Sequence, residues 1–599
     1  MPFASPETLL AQMTIEEKAG ALCVARVVVG EGGALWEGTD AESPFGFAPT
    51  SELLLERSIS HLTIMNAPGV AALARWRDAI DARAAEHRLD VPVSVLSDPR
   101  HGRVHNAATS QSGDGFSPMP EPLGLAAMFD SELVEEAAAM MARELRAVGI
   151  DVALHPMADL ATEARWARVA GTFGEDPAHA TETLARYLRG MQGPAGGVAC
   201  TVKHFPGGGP QRRGDDAHFE RGANTVYPGG RFDDHLAPFA AAVELGVARV
   251  MPGYAAPVGA SASDAGTGVE LPPVGFAFQR ELITGVLRER LGFDGVVITD
   301  FNIVTGMRLP RLGLELPVRA WGLLDLPPVE RVGRLFDAGV DQLGGEDDPG
   351  LILRAVEAGL VTEARLDESV LRVLREKERL GLFGPASVGA DADGEHGTRD
   401  ERAPELVATR EHLAISARVQ AASVVALSGS PVTVSPGTRI YSEGVDLDVV
   451  GRYGVPVDSP ADADLAVLRL EAPFDASDDP FEAAFHSGSL EFPQPERERI
   501  FEICDRVPTV VDVFLDRPAV LTGFPERAAA LLTTFGVTDE VLLDAVTGRA
   551  AAPGRLPVDL PRSMAAVEAS REDVPFDTVD PLFRFGHGLG WTALEGGDR

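Results

Sequence analysis

The segment that decides the fold is residues 291–302, which read LGFDGVVITDFN. It follows a helix-like stretch, ELITGVLRER, and Phe293-Asp294-Gly295 is typical of a turn. The β-branched run Val296-Val297-Ile298 is typical of a strand buried on both faces. Asp300 comes next, and a carboxylate there is costly unless it lies at the open end of the strand. An N-cap of a following helix would place an aspartate similarly, but a β/α barrel presents its catalytic groups in this order.

The same alternation of strand-like and helix-like stretches runs through the first part of the chain. Strand-like stretches lie at 61–66, 91–98, 151–160, 197–205, 247–254, 295–300 and 340–345. Helix-like stretches lie at 70–88, 131–149, 178–192, 232–246, 276–292 and 329–339. About seven or eight such units over roughly 350 residues favour a (β/α)8-type barrel over an open sheet.

The domain organisation follows from where this alternation ends. A closing helix at 361–382 completes a barrel-like domain over residues 1–383. Residues 384–409 begin polar, Gly-rich and acidic, which predicts a linker. Helix and strand patterns then resume, and they predict a second α/β domain over residues 410–599.

Polar side chains stand at or just after several of the predicted strands. They are Asp98, His155, the pair Lys203-His204, Tyr254, Asp300 and Asp341. Because the carboxyl ends of barrel strands meet at one face, we expect these groups to line a common site.

Composition excludes several classes of function. The net charge of −37 argues against nucleic acid and anionic membranes as partners, because phosphate binding needs clustered Lys and Arg. The sequence contains no transmembrane-length apolar run, and its N-terminus lacks the pattern of a signal peptide. Cys23, Cys200 and Cys504 lie far apart, which fits a reducing compartment and offers no metal signature. We therefore expect a cytoplasmic protein without a metal or cofactor.

A set of motifs extends over nearly the whole chain, from about residue 5 to about residue 592. They are SDPRHG (97–102), RWAR (165–168), GTFGEDP (171–177), KHFPGGG (203–209), VMPGY (250–254), GFDGVVITD (292–300), GVDQLGG (339–345), RLPVDLP (555–561) and FGHGLGWT (585–592). In this order they resemble glycoside hydrolase family 3. The resemblance implies a barrel followed by an (α/β) sandwich domain, with the site between them and no fibronectin-like third domain.

The resemblance also implies roles for individual residues. Asp300 matches the catalytic nucleophile of a retaining mechanism, and Phe301 stands where many members have Trp. Asp98, Arg165, Lys203 and His204 match the side chains that bind the hydroxyls of the terminal sugar. Tyr254 is expected to contribute a phenol to the same pocket. RWAR contains two arginines, so Arg168 is the alternative to Arg165.

The acid/base residue is left open by the sequence. Glu471 ends the strand-like run LAVLRL of the second domain and matches the family's glutamate, but Asp475, Asp478 and Glu482 follow closely. A branch of the family that cleaves N-acetylglucosaminides uses a histidine of an Asp-Ser-His motif after KHFPG. Here Asp216-Ala217-His218 stands two residues further on, and His218 is expected to bind substrate or to support the site. Asp176 of FGEDP is expected to cap a helix that begins at Pro177.

Together these observations predict a retaining, exo-acting β-glycosidase, most simply a β-glucosidase acting on a small or oligosaccharide β-glycoside. The alternatives are a β-xylosidase, an N-acetylglucosaminidase, a transglycosylase or phosphorolytic variant, and an inactive sugar-binding protein. A homodimer is left open.

Overall fold

The first domain is a barrel of eight parallel strands. The structure, a computed structural model, describes residues 5–38, 46–104, 113–193, 197–258, 271–309, 314–383, 399–479 and 481–594. The barrel strands are Cys23–Val27 (β1), His61–Ile64 (β2), Ser94–Ser97 (β3), Val152–Ala153 (β4), Ala199–Phe205 (β5), Arg249–Pro252 (β6), Val296–Val297 (β7) and Leu343–Gly344 (β8). They are hydrogen-bonded in the order β8-β1-β2-β3-β4-β5-β6-β7.

The barrel closes between its last two strands. Ile298, directly after β7, forms a parallel bridge with Gln342, directly before β8. Aliphatic side chains that point inward fill the interior, among them Val24, Leu96, Val152, Met251 and Ile298. The predicted β-branched run at 296–298 is therefore buried on both faces, because helices cover its outer side.

Helices surround the barrel and flank the second sheet. The α-helices are Pro6–Leu10, Ile15–Ala21, Thr50–Leu55, Val70–Ala84, Pro122–Ala127, Ser131–Ala147, Pro177–Met191, Phe232–Glu244, Pro328–Ala338, Gly350–Glu357, Glu363–Arg379, Arg399–Leu406, Arg410–Ser423, Leu447–Val450, Gln494–Arg506, Asp539–Val546 and Met564–Ala569, and Glu281–Arg290 is wound as a π-helix. Asp176 caps the helix that begins at Pro177 by accepting from the His179 amide at 2.7 Å, which confirms its predicted role. None of the described helices combines the length and apolarity needed to cross a membrane.

The second domain is built on a six-stranded sheet. Its strands are Val425–Gly429 (β9), Arg439–Glu443 (β10), Val455–Pro456 (β11), Leu465–Glu471 (β12), Thr509–Phe514 (β13) and Ala530–Thr534 (β14), in the order β9-β14-β13-β12-β10-β11. All neighbours are parallel except β9 and β14. One face packs against the helix Gln494–Arg506 through Ile500, and the other against Asp539–Val546 through Leu542.

The two domains share a core. Leu123, Trp166 and Val169, from loops and short helices at the carboxyl end of the barrel, belong to the same apolar cluster as Val513 and Phe535 of the second domain. Burial of this apolar surface holds the second sheet over the open end of the barrel. The carboxyl ends of the barrel strands therefore lie next to the second domain.

Three details differ from the sequence-based predictions. The strand Cys23–Val27 was not predicted, because the Gly-rich stretch that follows it obscures the alternation. Of the predicted linker 384–409, residues 384–398 lie outside the described residues, and Arg399–Leu406 is helical with Ala403 in the barrel core. The helix Arg410–Ser423, predicted to open the second domain, also buries Ile415 and Val419 against the barrel.

Asp341 lies apart from the other polar residues that were predicted at the carboxyl ends of the strands. It precedes β8 instead of following it, so it lies at the amino end of the strand. Its fully buried carboxylate binds the guanidinium groups of Arg288 at 2.5 Å, Arg372 at 3.1 Å and Arg365 at 3.5 Å. These arginines come from surrounding helices, so Asp341 fastens the helices to the sheet and does not belong to the site.

Candidate active site

Asp300 lies at the carboxyl end of β7, where the chain leaves the barrel. Its side chain is 13 % exposed, and its Oδ1 accepts from the backbone N–H of Phe301 at 2.6 Å. Burial raises the pKa of this carboxyl group, but attraction to His204, Arg319, His218 and Lys203 outweighs burial and leaves the pKa below its ordinary value. Asp300 is therefore a buried carboxylate that stays ionised.

His204, within β5, faces Asp300. Its Nε2 lies 3.7 Å from Asp300 Oδ2, and Arg168 Nη1 donates to the same nitrogen at 2.9 Å. On the other side of the ring, Nδ1 lies 2.8 Å from the carboxylate of Asp159. Burial and then Arg168 lower the pKa of His204. Nδ1 therefore points at Asp159, and this contact fixes the orientation of the ring.

The glycines of the KHFPGGG motif let the chain pack closely against Asp159 and its neighbour Leu160. The Asp159 carboxylate accepts from the backbone N–H of His204 at 3.1 Å and from that of Gly208 at 2.5 Å. A Cβ at Gly209 would collide with the carbonyl oxygen of Leu160. The loop after β5 thus folds tightly onto the loop after β4, and this packing fixes the orientation of His204.

Lys203 and Asp98 form a second buried pair beside this group. The Lys203 ammonium lies 3.7 Å from Asp98 Oδ1. Burial raises the pKa of Asp98 despite Lys203, and burial lowers the pKa of Lys203 despite Asp98. Further polar partners would therefore stabilise both buried charges. Hydroxyl groups can do this, because they donate to the carboxylate and accept from the ammonium.

The two arginines of RWAR have different surroundings. Arg165 binds the buried carboxylate of Glu163 through Nε at 2.8 Å and Nη2 at 2.6 Å. Arg168 instead contacts His204 and lines the same cavity as Lys203. Arg168 is thus the arginine that lies in the cluster, and the ion pair with Glu163 occupies Arg165.

His218 lies on the loop after β5 and faces Tyr254 and the second domain. Its Nδ1 is 2.5 Å from Asp216 Oδ1, and Trp166 Nε1 donates to the other oxygen of Asp216 at 2.9 Å. The ring meets Tyr254 edge-on at 5.6 Å between ring centroids. Burial lowers the pKa of His218, although Asp216 acts in the opposite direction.

A segment of the second domain, residues 474–479 and 481–487, covers this part of the barrel. Phe485 lies 4.8 Å from His218 and 5.4 Å from Phe219, between ring centroids. Glu482 of the same segment forms an ion pair with Arg221 of the barrel loop. The second domain therefore closes one side of the site.

Glu471 ends β12 and lies at the boundary between the domains. Its side chain is 52 % exposed, and its Oε1 accepts from Arg103 of the barrel at 2.9 Å. It lines a cavity of about 440 Å³ together with Arg168, Lys203, His486 and Asp516. Asp475 accepts from the Ser489 amide at 3.0 Å, Asp478 is exposed, and Glu482 is paired with Arg221. Of these four acids, Glu471 is the one that lines the cavity shared with Lys203.

Sequence reasoning missed Asp159, Arg103 and Arg319. Asp159 lies near the end of the strand-like stretch 151–160, as Asp98 ends the stretch 91–98, and that signal was available in the sequence. Arg103 and Arg319 stand in irregular segments without periodicity, so their positions depend on tertiary structure alone. Within the described ranges, no group of three or more His, Cys, Asp or Glu side chains could hold a metal ion.

A barrel whose strand ends gather an ionised aspartate, a lysine–aspartate pair and a fixed histidine under a second α/β domain defines a hydrolase acting on polyhydroxylated substrates. The comparisons agree with this class. Residues 14–376 match the model of the glycosyl hydrolase family 3 N terminal domain. The chain belongs to this family and is a glycoside hydrolase.

Similar proteins support this assignment over nearly the full length. A probable beta-glucosidase C of Aspergillus oryzae is 39 % identical over 98 % of this chain and 89 % of its own length. A periplasmic beta-glucosidase/beta-xylosidase of Dickeya chrysanthemi is 35 % identical over 97 % of this chain and 89 % of its own. The crystal structure of a beta-glucosidase from Listeria innocua in complex with glucose superposes with a TM-score of 0.74 at 21 % identity, covering 98 % of this chain and 83 % of that one. At that identity the structural likeness concerns the fold.

Proposed function

We propose that this protein is a retaining, exo-acting β-glucosidase that removes terminal non-reducing β-D-glucosyl residues through a covalent intermediate on Asp300. The observation that carries the proposal is the state of Asp300, which is buried at the end of β7 with a lowered pKa and faces His204. A nucleophilic carboxylate must be ionised before it meets the sugar, and nearby cations provide that state.

The proposed reaction has two steps. In the first, Asp300 attacks the anomeric carbon, the bond to the leaving oxygen breaks, and Glu471 gives that oxygen a proton. In the second, Glu471 takes a proton from water, the water oxygen bonds to the anomeric carbon, and Asp300 leaves as a carboxylate. Retention requires two carboxyl groups about 5–5.5 Å apart around the bound sugar.

The sugar hydroxyls are assigned to the buried polar groups beside Asp300. Asp98, Lys203 and His204 keep the binding roles expected from the sequence, with Tyr254 and Phe301 as walls. Arg168 replaces Arg165 in this proposal, because Arg165 is bound to Glu163. The support for these roles is that Lys203 and Asp98 lie 3.7 Å apart and that Arg168 contacts His204.

His218 is proposed to support the site and not to donate the proton. Its Nδ1 is bound to Asp216, and aromatic rings of both domains surround it. A proton donor must reach the leaving oxygen, and Glu471 lines the cavity that Lys203 and Arg168 also line.

The β-xylosidase alternative raised by the sequence is also favoured by the similarity to the periplasmic beta-glucosidase/beta-xylosidase of Dickeya chrysanthemi. The test is therefore a panel of nitrophenyl β-glycosides carrying glucose, xylose and N-acetylglucosamine, with the first-formed anomer followed by NMR. We expect the glucoside to have the highest kcat/KM and β-glucose to appear first. Faster hydrolysis of the xyloside or the N-acetylglucosaminide would move the assignment to that sugar. An α-anomer formed first would exclude retention, and no turnover on any glycoside would leave a sugar-binding protein.

A further inference from the structure

Arg319 is a buried guanidinium that the proposed mechanism does not yet use. It is 3 % exposed, and its Nη2 donates to the carbonyl oxygen of Phe301. Its guanidinium carbon lies 5.1 Å from the ring centroid of Tyr254. Its Nε is buried and has no hydrogen-bond partner among the described residues. An arginine that forms no ion pair within the described structure is costly to bury unless its charge serves another group.

Arg319 is connected to Asp300 through a single residue. The backbone N–H of Phe301 donates to Asp300 Oδ1 at 2.6 Å, while the carbonyl of the same residue accepts from Arg319. The guanidinium also attracts the Asp300 carboxylate directly, after burial and His204 in order of influence on its pKa. One side chain thus fixes both the backbone that holds the carboxylate and the charge around it.

We propose that Arg319 is a positioning residue for the nucleophile: it holds the Phe301 backbone against Asp300, packs on Tyr254, and supplies the positive charge that compensates the carboxylate. This inference rests on the proposed role of Asp300 and adds to it. The two steps of the proposed reaction should therefore depend on Arg319 to different extents.

The charge of Asp300 changes during the proposed cycle. The carboxylate is negative in the free enzyme, becomes part of a neutral ester in the glycosyl-enzyme, and is released as a negative leaving group when water attacks. A nearby guanidinium stabilises the released carboxylate, and so Arg319 should assist the second step most.

Other charged and titratable groups also face Asp300 and must be considered in any pH profile. They are His204 and Lys203 on β5, Asp98 after β3, His218 on the loop after β5, and Tyr254 after β6. Lys203 is paired with Asp98, and His218 with Asp216. Among the described residues Arg319 has no carboxylate ion-pair partner of its own, so its removal should alter Asp300 more than it alters these pairs.

Arg331 provides a matched control. It is also buried, and it donates to the carbonyls of Val304 at 2.8 Å and Leu324 at 2.6 Å, which belong to the segments before and after Arg319. Unlike Arg319, it is not among the groups with the largest influence on the pKa of Asp300. Arg331→Met therefore removes a buried guanidinium from the same region without removing charge from the nucleophile.

The experiment compares Arg319→Met, Arg319→Gln, Arg319→Lys and Arg331→Met by the pH dependence of kcat/KM on a nitrophenyl β-glucoside. Without the guanidinium the pKa of Asp300 rises, so the acidic limb should move to higher pH by about one unit in the Met and Gln variants. Their deglycosylation rate should fall by roughly tenfold or more, which would appear as a burst of nitrophenol. Lys should restore the limb, and Arg331→Met should lose only thermal stability.

The proposal would be overturned if the acidic limb of the kcat/KM profile stays at its wild-type position in a folded Arg319→Met or Arg319→Gln variant. The proposal is equally rejected if both neutral variants fail to fold or behave like Arg331→Met, since Arg319 would then be structural. Labelling of the wild-type enzyme by a 2-fluoro glucoside separates this result from the proposed function. A label on Asp300 together with an unmoved limb refutes only the role of Arg319, whereas no label on Asp300 refutes the nucleophile itself.

Discussion

The two proposed catalytic carboxyl groups lie in opposite surroundings. Asp300 is buried at a barrel strand end and is held by a backbone amide, His204 and Arg319. Glu471 is half-exposed at a strand end of the second domain, where it forms an ion pair with Arg103. The nucleophile is thus fixed in advance, whereas the proton donor keeps access to solvent.

This difference matches the tasks that a retaining mechanism assigns. A nucleophile must stay ionised in one position, and buried cations achieve this at low reorganisation cost. An acid/base residue must be protonated in one step and ionised in the next, so it needs exchange with water and weaker binding. Substitutions in the barrel and in the second domain test this division, from the largest expected effect to the smallest.

Asp300→Ala and Asp300→Asn should abolish nearly all turnover, by about 10⁴-fold or more in kcat, because no covalent intermediate can form. Circular dichroism and the thermal midpoint should show that the fold is retained. Activity within tenfold of the wild type in either variant would remove Asp300 from the mechanism.

Glu471→Ala should lose roughly 10³-fold in kcat on disaccharides and alkyl glucosides, and much less in the glycosylation step of an activated aryl glucoside. Azide should rescue turnover by attacking the glycosyl-enzyme without a general base. The same substitution at Asp475, Asp478, Glu482 and His218 is the control. Azide rescue at one of these residues instead of Glu471 would move the assignment there, and rescue at His218 would place the chemistry in the barrel alone.

Lys203→Ala and His204→Ala should each reduce kcat/KM by roughly 10²-fold, about 3 kcal/mol, because sugar hydroxyls and the carboxylates of Asp98 or Asp159 lose their partners. Arg168→Met should weaken binding similarly, and Arg165→Met should act mainly on stability. If Arg165→Met has the larger effect on kcat/KM, the original assignment from the RWAR motif is restored.

The smallest effect concerns Glu121, which accepts from the Arg103 amide at 2.7 Å and the Val104 amide at 2.8 Å. Burial raises the pKa of Glu121 to about 7, so the folded state holds its proton where the unfolded chain has lost it. Its contribution to the free energy of unfolding should therefore fall as pH rises from the unfolded pKa, near 4.5, through about 7. Glu121→Gln should lose less stability over this pH range than the wild type does. The thermal midpoint at pH 8, measured relative to that at pH 5, should therefore be higher in the variant by roughly 2 °C. Identical pH dependence in the two proteins would show that Glu121 does not titrate there.

The barrel could be predicted from sequence because its signals are local. Buried β-branched runs such as 296–298 alternate with amphipathic helices, and period, length and β-branched content together distinguish the two. Asp341 was misplaced because a short strand can begin two residues later than its apolar pattern. The first strand was missed because five residues beside a Gly-rich segment give too little periodicity.

The site residues also divide into those that the sequence could predict and those that it could not. Asp98, Lys203, His204 and Asp300 stand at strand ends, so topology brings them together. The choice between Arg165 and Arg168 depends on which one Glu163 binds, and the position of Arg319 depends on how an irregular segment folds back. Neither is encoded in local spacing. The predicted cytoplasmic location and the homodimer stay predictions.

The most direct test of the proposed mechanism is to inactivate the wild-type enzyme with a 2-deoxy-2-fluoro-β-glucoside carrying a good leaving group and to identify the labelled peptide by mass spectrometry. The slow second step should trap the intermediate, and the account predicts one sugar on the peptide that contains Asp300, with activity returning when an acceptor is added. A stoichiometric label on any other residue, or steady turnover without a trapped intermediate, would contradict a covalent mechanism at the end of β7.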